Sequence, residues 1–281
     1  MKLKSLILRF RKNQSAQLSA PAPKRDVKRF NAKDEIGWFS PAYDQSRAVE
    51  LDVATMEKNR LVAMFPDSRE IDFYKVLRTR ISHRTRNQEG RAIMITSALP
   101  GEGKTVTAIN LALTFAREFE QTVLLVDGDL RKQSIHEQMG FRSNLGLLDY
   151  LLDDKPVPDL IVWPGIEKLT VISGGRTITE SSEIIGSPKM RALVEEMKNR
   201  YTERYVFFDV SPVLAGADAI VFASLVDWIV MVVQAGATPI SEINKALELL
   251  PKEKIIGLVL NRQATPISAY YHYSYYRKKD G

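Results

Sequence analysis

The 281-residue chain has no cysteine and only three histidines. The first absence excludes a disulfide scaffold, a thiolate zinc site and a cysteine nucleophile. The scattered histidines form no cluster with metal-ligand spacing. A long apolar run is also missing. The richest stretch, 215–233, is broken by Asp218 and Asp227, whereas a membrane-spanning helix needs about 20 mostly apolar residues. It reads instead as a helix followed by a buried strand. The N-terminal apolar run Leu6-Ile7-Leu8 is too short for a signal peptide, and no small-residue cleavage site follows it. Finally, the body lacks net charge. The chain holds 40 Lys+Arg and 34 Asp+Glu, and residues 1–45 hold ten of the former and four of the latter, so residues 46–281 carry 30 of each sign. A nucleic-acid-binding body would be basic, so no nucleic-acid partner is expected.

Several features are present. With 44% hydrophobic and 26% charged residues, the composition is that of a globular protein with ample core. Leu3, Leu6, Ile7 and Phe10 fall at helical spacing among five cations, a basic amphipathic pattern suited to an anionic membrane surface or a partner. A frayed basic tail explains that pattern equally well. A Ser-, Ala- and Pro-containing linker follows, so residues 1–45 read as a flexible arm. From about residue 46, short apolar runs at 92–96, 123–126, 169–172, 205–208, 228–233 and 255–260 alternate with helical patterns that include 105–119, 189–200 and 241–250. Buried strands joined by helical crossovers predict an α/β domain over 46–266, with a central, mostly parallel sheet and helices on both faces. Residues 267–281 form a tyrosine-rich tail.

The strongest motif is Ala98-Leu-Pro-Gly-Glu-Gly-Lys-Thr105, placed directly between a strand and a helix. This is a P-loop, with Ala98 standing where its first glycine is usual. Gly101 and Gly103 let the backbone approach phosphate oxygens. The loop Pro100, Gly101, Glu102, Gly103, Lys104, Thr105 and Val106 would offer amides and a helix N-terminus to an anion. Lys104 would reach the β- and γ-phosphates of ATP, and the Thr105 hydroxyl would ligate Mg²⁺. Two further strands end in aspartate, at Asp127-Gly-Asp129 and at Asp209. Carboxylates at strand C-termini face the ligand crevice of an open α/β sheet, where they serve an ion or take a proton.

Together these motifs resemble the bacterial tyrosine kinases (BY-kinases) of capsule and exopolysaccharide systems, the CpsD/CapB type, within the deviant P-loop ATPases. The P-loop, Asp127-Gly-Asp129-Leu-Arg131 and Asp209-Val-Ser-Pro212 look like that family's Walker A, A′ and B motifs. Leu99 occupies the position where the related MinD/ParA partition ATPases carry a signature lysine, which favours the kinase branch. Ser211 departs from the proline usual after the Walker B aspartate. The expected Asn-Pro before a Glu-Leu-Leu helix is replaced by Glu180-Ser-Ser-Glu183-Ile-Ile185.

The resemblance implies an ATP- and Mg²⁺-dependent tyrosine autokinase. Thr105 and Asp209 would hold the metal, with Asp127 as a further ligand, and Asp127 or Asp129 would orient or deprotonate the tyrosine. Asn261 and Arg262 would lie near the nucleotide base. Tyr270, Tyr271, Tyr273, Tyr275 and Tyr276 would accept phosphate between subunits. Asp72, Lys75 and Arg78 match the family's Glu-x-x-Arg-x-x-Arg subunit-contact helix with two substitutions, which makes a ring-like homo-oligomer an expectation. A membrane chain-length determinant (polysaccharide co-polymerase) would be the activating partner. The protein would be cytoplasmic, peripheral at the membrane through residues 1–12. A MinD/ParA-like ATPase switch, and a nucleotide-stabilised scaffold of the polysaccharide machinery, are the rival readings.

Overall fold

The computed structural model describes residues 46–86 and 90–263. The arm 1–45 and the tail 267–281 with its five tyrosines lie outside that range. The described strands are β1 (Arg47–Ala48), β2 (Ala92–Ser97), β3 (Thr122–Asp127), β4 (Ile161–Trp163), β5 (Leu169–Ile172), β6 (Arg204–Asp209), β7 (Trp228–Gln234) and β8 (Ile255–Asn261). They form one sheet in the order β1-β4-β5-β3-β6-β2-β7-β8. Every neighbouring pair is parallel except β4 with β5.

Every residue of β2 and β3 is buried, because helices cover both faces. That is why these strands read as continuous apolar runs instead of alternating ones. One face, with Ile93, Ile95, Val123, Leu125, Phe207 and Val230, packs on the helix Lys104–Phe115 through Ile109, Leu111, Ala112 and Phe115. The other, with Met94, Leu124, Val126, Phe208 and Met231, packs on Met190, Leu193, Val194 and Met197 of the helix Pro188–Asn199. Phe222 of the helix Asp218–Ala223 joins it.

The expected helix 105–119 is shorter, Lys104–Phe115. Residues beyond it form turns whose carbonyls, such as that of Phe119, accept a hydrogen bond of 2.8 Å from the Lys168 ammonium. The 241–250 pattern is a helix at Ile240–Glu248, ending just ahead of Pro251. Asp218 and Asp227 do interrupt the apolar stretch, Asp218 opening the helix Asp218–Ala223 and Asp227 standing directly before β7. Among the described residues, no helix is long and apolar enough to cross a membrane.

Candidate functional site

The site forms where β2, β3 and β6 end side by side. After Ser97 the chain turns through a loop in which Gly101 and Gly103 adopt φ of 84° and 93°, a left-handed backbone that glycine reaches without strain. Gly103 has a second reason to lack a side chain, since a Cβ there would collide with the Asn261 side-chain amide. Glu102 turns its carboxylate into the protein. It accepts the Leu99 N–H at 2.8 Å and a hydrogen bond from the Thr238 hydroxyl. The Asn261 amide in turn donates to the Glu102 carbonyl at 2.8 Å. The ends of β7 and β8 thus latch the loop before any ligand arrives.

Lys104 and Thr105 open the helix that follows. In β3 and β6, Asp127 and Asp209 are register partners, which brings both strand-end carboxylates to one place. The Lys104 ammonium lies 3.0 Å from Asp129 Oδ2 and 3.2 Å from Asp209 Oδ1. The Thr105 hydroxyl donates to Asp209 Oδ2 at 2.6 Å. Asp127 Oδ2 accepts the N–H groups of Ser134 and Ile135 at 2.8 and 2.9 Å. Its Oδ1 is buried and has no hydrogen-bond partner among the described residues. Gly128 between the two aspartates has its own constraint, for a Cβ there would press on Phe222 and on the Asp209 carbonyl.

Three carboxylates surround one ammonium, so the site carries excess negative charge in a buried setting. Burial alone would lower the Lys104 pKa, but Asp209, Asp129 and Asp127 outweigh it and hold the ammonium above its ordinary value. Asp127 is 2% exposed, and its carboxyl is pushed up to about 7, first by burial and then by the charge of Asp209. Asp209 is raised as well, mainly by burial, against the pull of Lys104. Such a cluster favours a bound cation.

Among the described residues, no group of three or more His, Cys, Asp or Glu is arranged to hold a metal alone. Mg²⁺ binds through one or two protein oxygens plus phosphate oxygens and water. Thr105 and Asp209, with the unpartnered oxygen of Asp127 nearby, fit that chemistry.

The structure therefore brings Lys104, Thr105, Asp127, Asp129 and Asp209 together. Asn261 sits on the loop itself, and the Arg262 guanidinium reaches Gln234 Oε1 at 3.4 Å. Val106 is partly buried in the core beneath, whereas Pro100 and Gly101 are exposed on the loop. On the helix Ile71–Thr85, Lys75 pairs with Asp72 at 2.9 Å, and Arg78 is held by Glu118 at 2.6 Å and the Thr114 carbonyl at 3.1 Å. Sequence reasoning missed the Glu102–Thr238 latch and Ser134, whose hydroxyl lies 3.3 Å from that of Thr105. Both depend on loops far away in the chain and left no local signal.

A model of the CobQ/CobB/MinD/ParA nucleotide binding domain matches residues 93–278. The tyrosine-protein kinase YwqD of Bacillus subtilis (strain 168) is 33% identical over 227 residues, covering 80% of this chain and 94% of that protein. The succinoglycan biosynthesis transport protein ExoP of Rhizobium meliloti (strain 1021) is 29% identical over 80% of this chain, a region that makes up 29% of ExoP. Among solved structures, the chimerical protein CapA2B2 superposes with a TM-score of 0.67 at 28% identity, covering 80% of this chain and 96% of that one. With a P-loop, two aspartate-tipped strands and these relatives, the chain belongs to the bacterial tyrosine kinases of capsule and exopolysaccharide biosynthesis, within the MinD/ParA class of nucleotide-binding domains.

Proposed function

We propose that the protein is an ATP- and Mg²⁺-dependent tyrosine autokinase that regulates exopolysaccharide or capsule assembly. It would phosphorylate its own tyrosine cluster, Tyr270, Tyr271, Tyr273, Tyr275 and Tyr276, from one subunit to another. The observation that carries this reading is the Lys104 ammonium set between Asp129 and Asp209 at the mouth of the P-loop, beside a buried carboxylate with a free oxygen.

The loop amides and Lys104 bind the β- and γ-phosphates. Mg²⁺, when bound at Thr105 and Asp209 with Asp127 beside them, supplies neutralisation of the charge that develops on the phosphate oxygens. The tyrosine oxygen bonds to the γ-phosphorus. The bond from that phosphorus to the β–γ bridging oxygen breaks, and ADP departs with the electron pair. The phenolic proton passes to a carboxylate. Asp127 Oδ1 is assigned that role because Asp129 is already engaged, its Oδ2 by Lys104 and its Oδ1 by the Lys132 N–H at 3.1 Å.

By the same reading, a membrane chain-length determinant activates the kinase. ExoP, in which the matching region is part of a longer biosynthesis transport protein, supports a partner of that kind. The basic segment 1–12 adds membrane affinity at the cytoplasmic face, and assembly into a ring uses the helix bearing Asp72, Lys75 and Arg78.

Intact mass after incubation with ATP and Mg²⁺ tests the proposal. Successive additions of one phosphate, mapped to residues 270–276, are expected. ATP turnover without any mass gain would instead identify a partition-type switch. A rise in melting temperature with ATP but no turnover would identify a scaffold.

A further inference from the structure

Two residues beyond Asp129 stands a cation that the phosphate site does not use. The Lys132 N–H reaches both the carbonyl and the carboxylate of Asp129, at 3.2 and 3.1 Å, so Asp129–Lys132 is a turn with Arg131 inside it. Arg131 Nε lies 2.9 Å from Ser181 Oγ and 3.2 Å from Asp218 Oδ2. Asp218 is 1% exposed, and the Ser181 hydroxyl donates to it at 2.5 Å. Both of those contacts use Nε, and the arginine side chain is 44% exposed. The guanidinium is thus fixed from beneath while its paired Nη nitrogens remain for a ligand.

Arg131 borders an open depression whose other lining residues are Thr177, Ile178 and Thr179. The Ile178 N–H donates to the Leu130 carbonyl at 3.1 Å, which sews the threonine segment to the Asp129 turn. Glu183, on the helix that carries Ser181, is the acidic neighbour of this cation. A rigid guanidinium fork, two threonines and one isoleucine suit an aryl phosphate, with the dianion bidentate on the fork and the ring against the aliphatic side chain.

The chain itself contains the candidate occupant. Residues 264–281 hold a single acid, Asp280, among Arg277, Lys278 and Lys279, so the unmodified tail has little to offer Arg131. Once phosphorylated, it has the matching dianion. Residues two apart in an extended chain are separated by about 7 Å. Tyr271, Tyr273 and Tyr275 have that spacing, and in an extended segment they point to one side.

We propose that Arg131, with Thr177 and Thr179, forms a phosphotyrosine subsite for the tail of another copy of this chain. A tyrosine that has just been modified docks there and holds the next one at the phosphate site, so that successive transfers occur without release. This rests on the kinase reading.

The full-length protein is incubated with ATP and Mg²⁺, and intact mass is followed at equal total phosphate incorporated. In the wild type, chains with two or more phosphates should exceed random expectation while unmodified chains persist. Arg131→Gln and Arg131→Lys should give the random distribution, with singly modified chains dominant among modified ones. A random distribution in the wild type, or the same excess in both variants, overturns the proposal.

A second arm needs no catalysis. A labelled peptide of residues 267–281 synthesised with phosphotyrosine at 271 should bind the full-length protein about tenfold more tightly than the unmodified peptide. Arg131→Gln should abolish the preference. Equal binding of the two peptides, or displacement by an equal concentration of inorganic phosphate, overturns the subsite. Should Arg131→Gln not fold, the double variant Thr177→Val with Thr179→Val stands in for it, and retained preference there rejects the site. A protein that gains no phosphate at all rejects the kinase reading, while the peptide arm still decides the subsite.

Discussion

Asp209 and Asp218 are built alike and do different things. Each is buried, at 0% and 1% exposure. Each accepts a hydroxyl proton at short range, from Thr105 at 2.6 Å and from Ser181 at 2.5 Å. Each faces a cation at 3.2 Å, Lys104 in one case and Arg131 in the other. A buried aspartate with a hydroxyl and a cation is therefore no sign of catalysis by itself. The difference lies in the surrounding charge. Lys104 is shared by Asp129 and Asp209 with Asp127 close by, so one cluster is under-neutralised and open to a cation. In the other, one buried acid, Asp218, holds one base, with the exposed Glu183 as that base's outer acidic neighbour. There Asp218 serves to aim the arginine, whose outer edge stays free.

The comparison is broken most directly at its two cations. Lys104→Met should reduce the rate of tyrosine phosphorylation about 100- to 1,000-fold, the scale of losing one preorganised donor to developing charge. It is measured as label transferred from γ-labelled ATP. If Arg131→Met cost as much in the same assay, the distinction between a reacting cluster and an aiming one would collapse.

The under-neutralised cluster also predicts a pH signature. Asp127 has its folded-state carboxyl raised from 3.8 to about 7, by burial first and Asp209 second. A carboxyl raised on folding contributes stability that is complete below its unfolded pKa and is lost as pH climbs to the folded value. Without ligand, Asp127→Asn should therefore raise the melting temperature by about 3 °C or more at pH 8, and by less at pH 5. The same substitution should lower phosphorylation by about 10²- to 10⁴-fold, as expected for a lost general base. An equal thermal gain at both pH values would remove the charge argument. Near-normal phosphorylation would pass the proton-accepting role to Asp129.

How much of this was legible beforehand follows from range. The strand ending in Asp127 was readable because burial on both faces demands an unbroken apolar run, and the P-loop because glycine, lysine and threonine each answer a local need of a phosphate cradle. The edge strand Arg47–Ala48 is two exposed residues long and carries no periodicity. The antiparallel strand Ile161–Trp163 is only three residues long and directly follows the helix Val157–Leu160. Asp218 looked like a break in an apolar stretch. Its meaning depends on Ser181 and Arg131, which lie 37 residues and 87 residues upstream of it. Pairing at such separation is decided by topology, and no window of sequence contains it.

The balanced cluster should be felt in stability. Asp218→Ala leaves the Ser181 hydroxyl and the Arg131 Nε without their buried acceptor. The cost is about 1–3 kcal/mol, below that of a fully buried pair because the arginine is partly solvated. Urea unfolding measures it. Nucleotide affinity should change little, since none of the P-loop contacts involves Asp218. A loss of ATP binding as large as that from Lys104→Met would show that the two clusters act as one.

The smallest expected effect concerns the latch on the loop. Asn261 was expected near the nucleotide base, and the structure sets its amide against the Glu102 carbonyl, directly over Gly103. One hydrogen bond of this kind contributes about 1 kcal/mol. Because it holds a loop whose value is its preorganised shape, Asn261→Ala should weaken ATP binding about threefold to tenfold, with a smaller change in the melting temperature of the ligand-free protein. The reverse pattern, a lower melting temperature with ATP affinity intact, would make Asn261 a support for the end of β8 alone. The ordering matters because β8 is the last described strand before the tyrosine tail. If the loop's shape depends on Asn261, the end of β8 bears directly on the phosphate site, beside the hold that Thr238 keeps on Glu102.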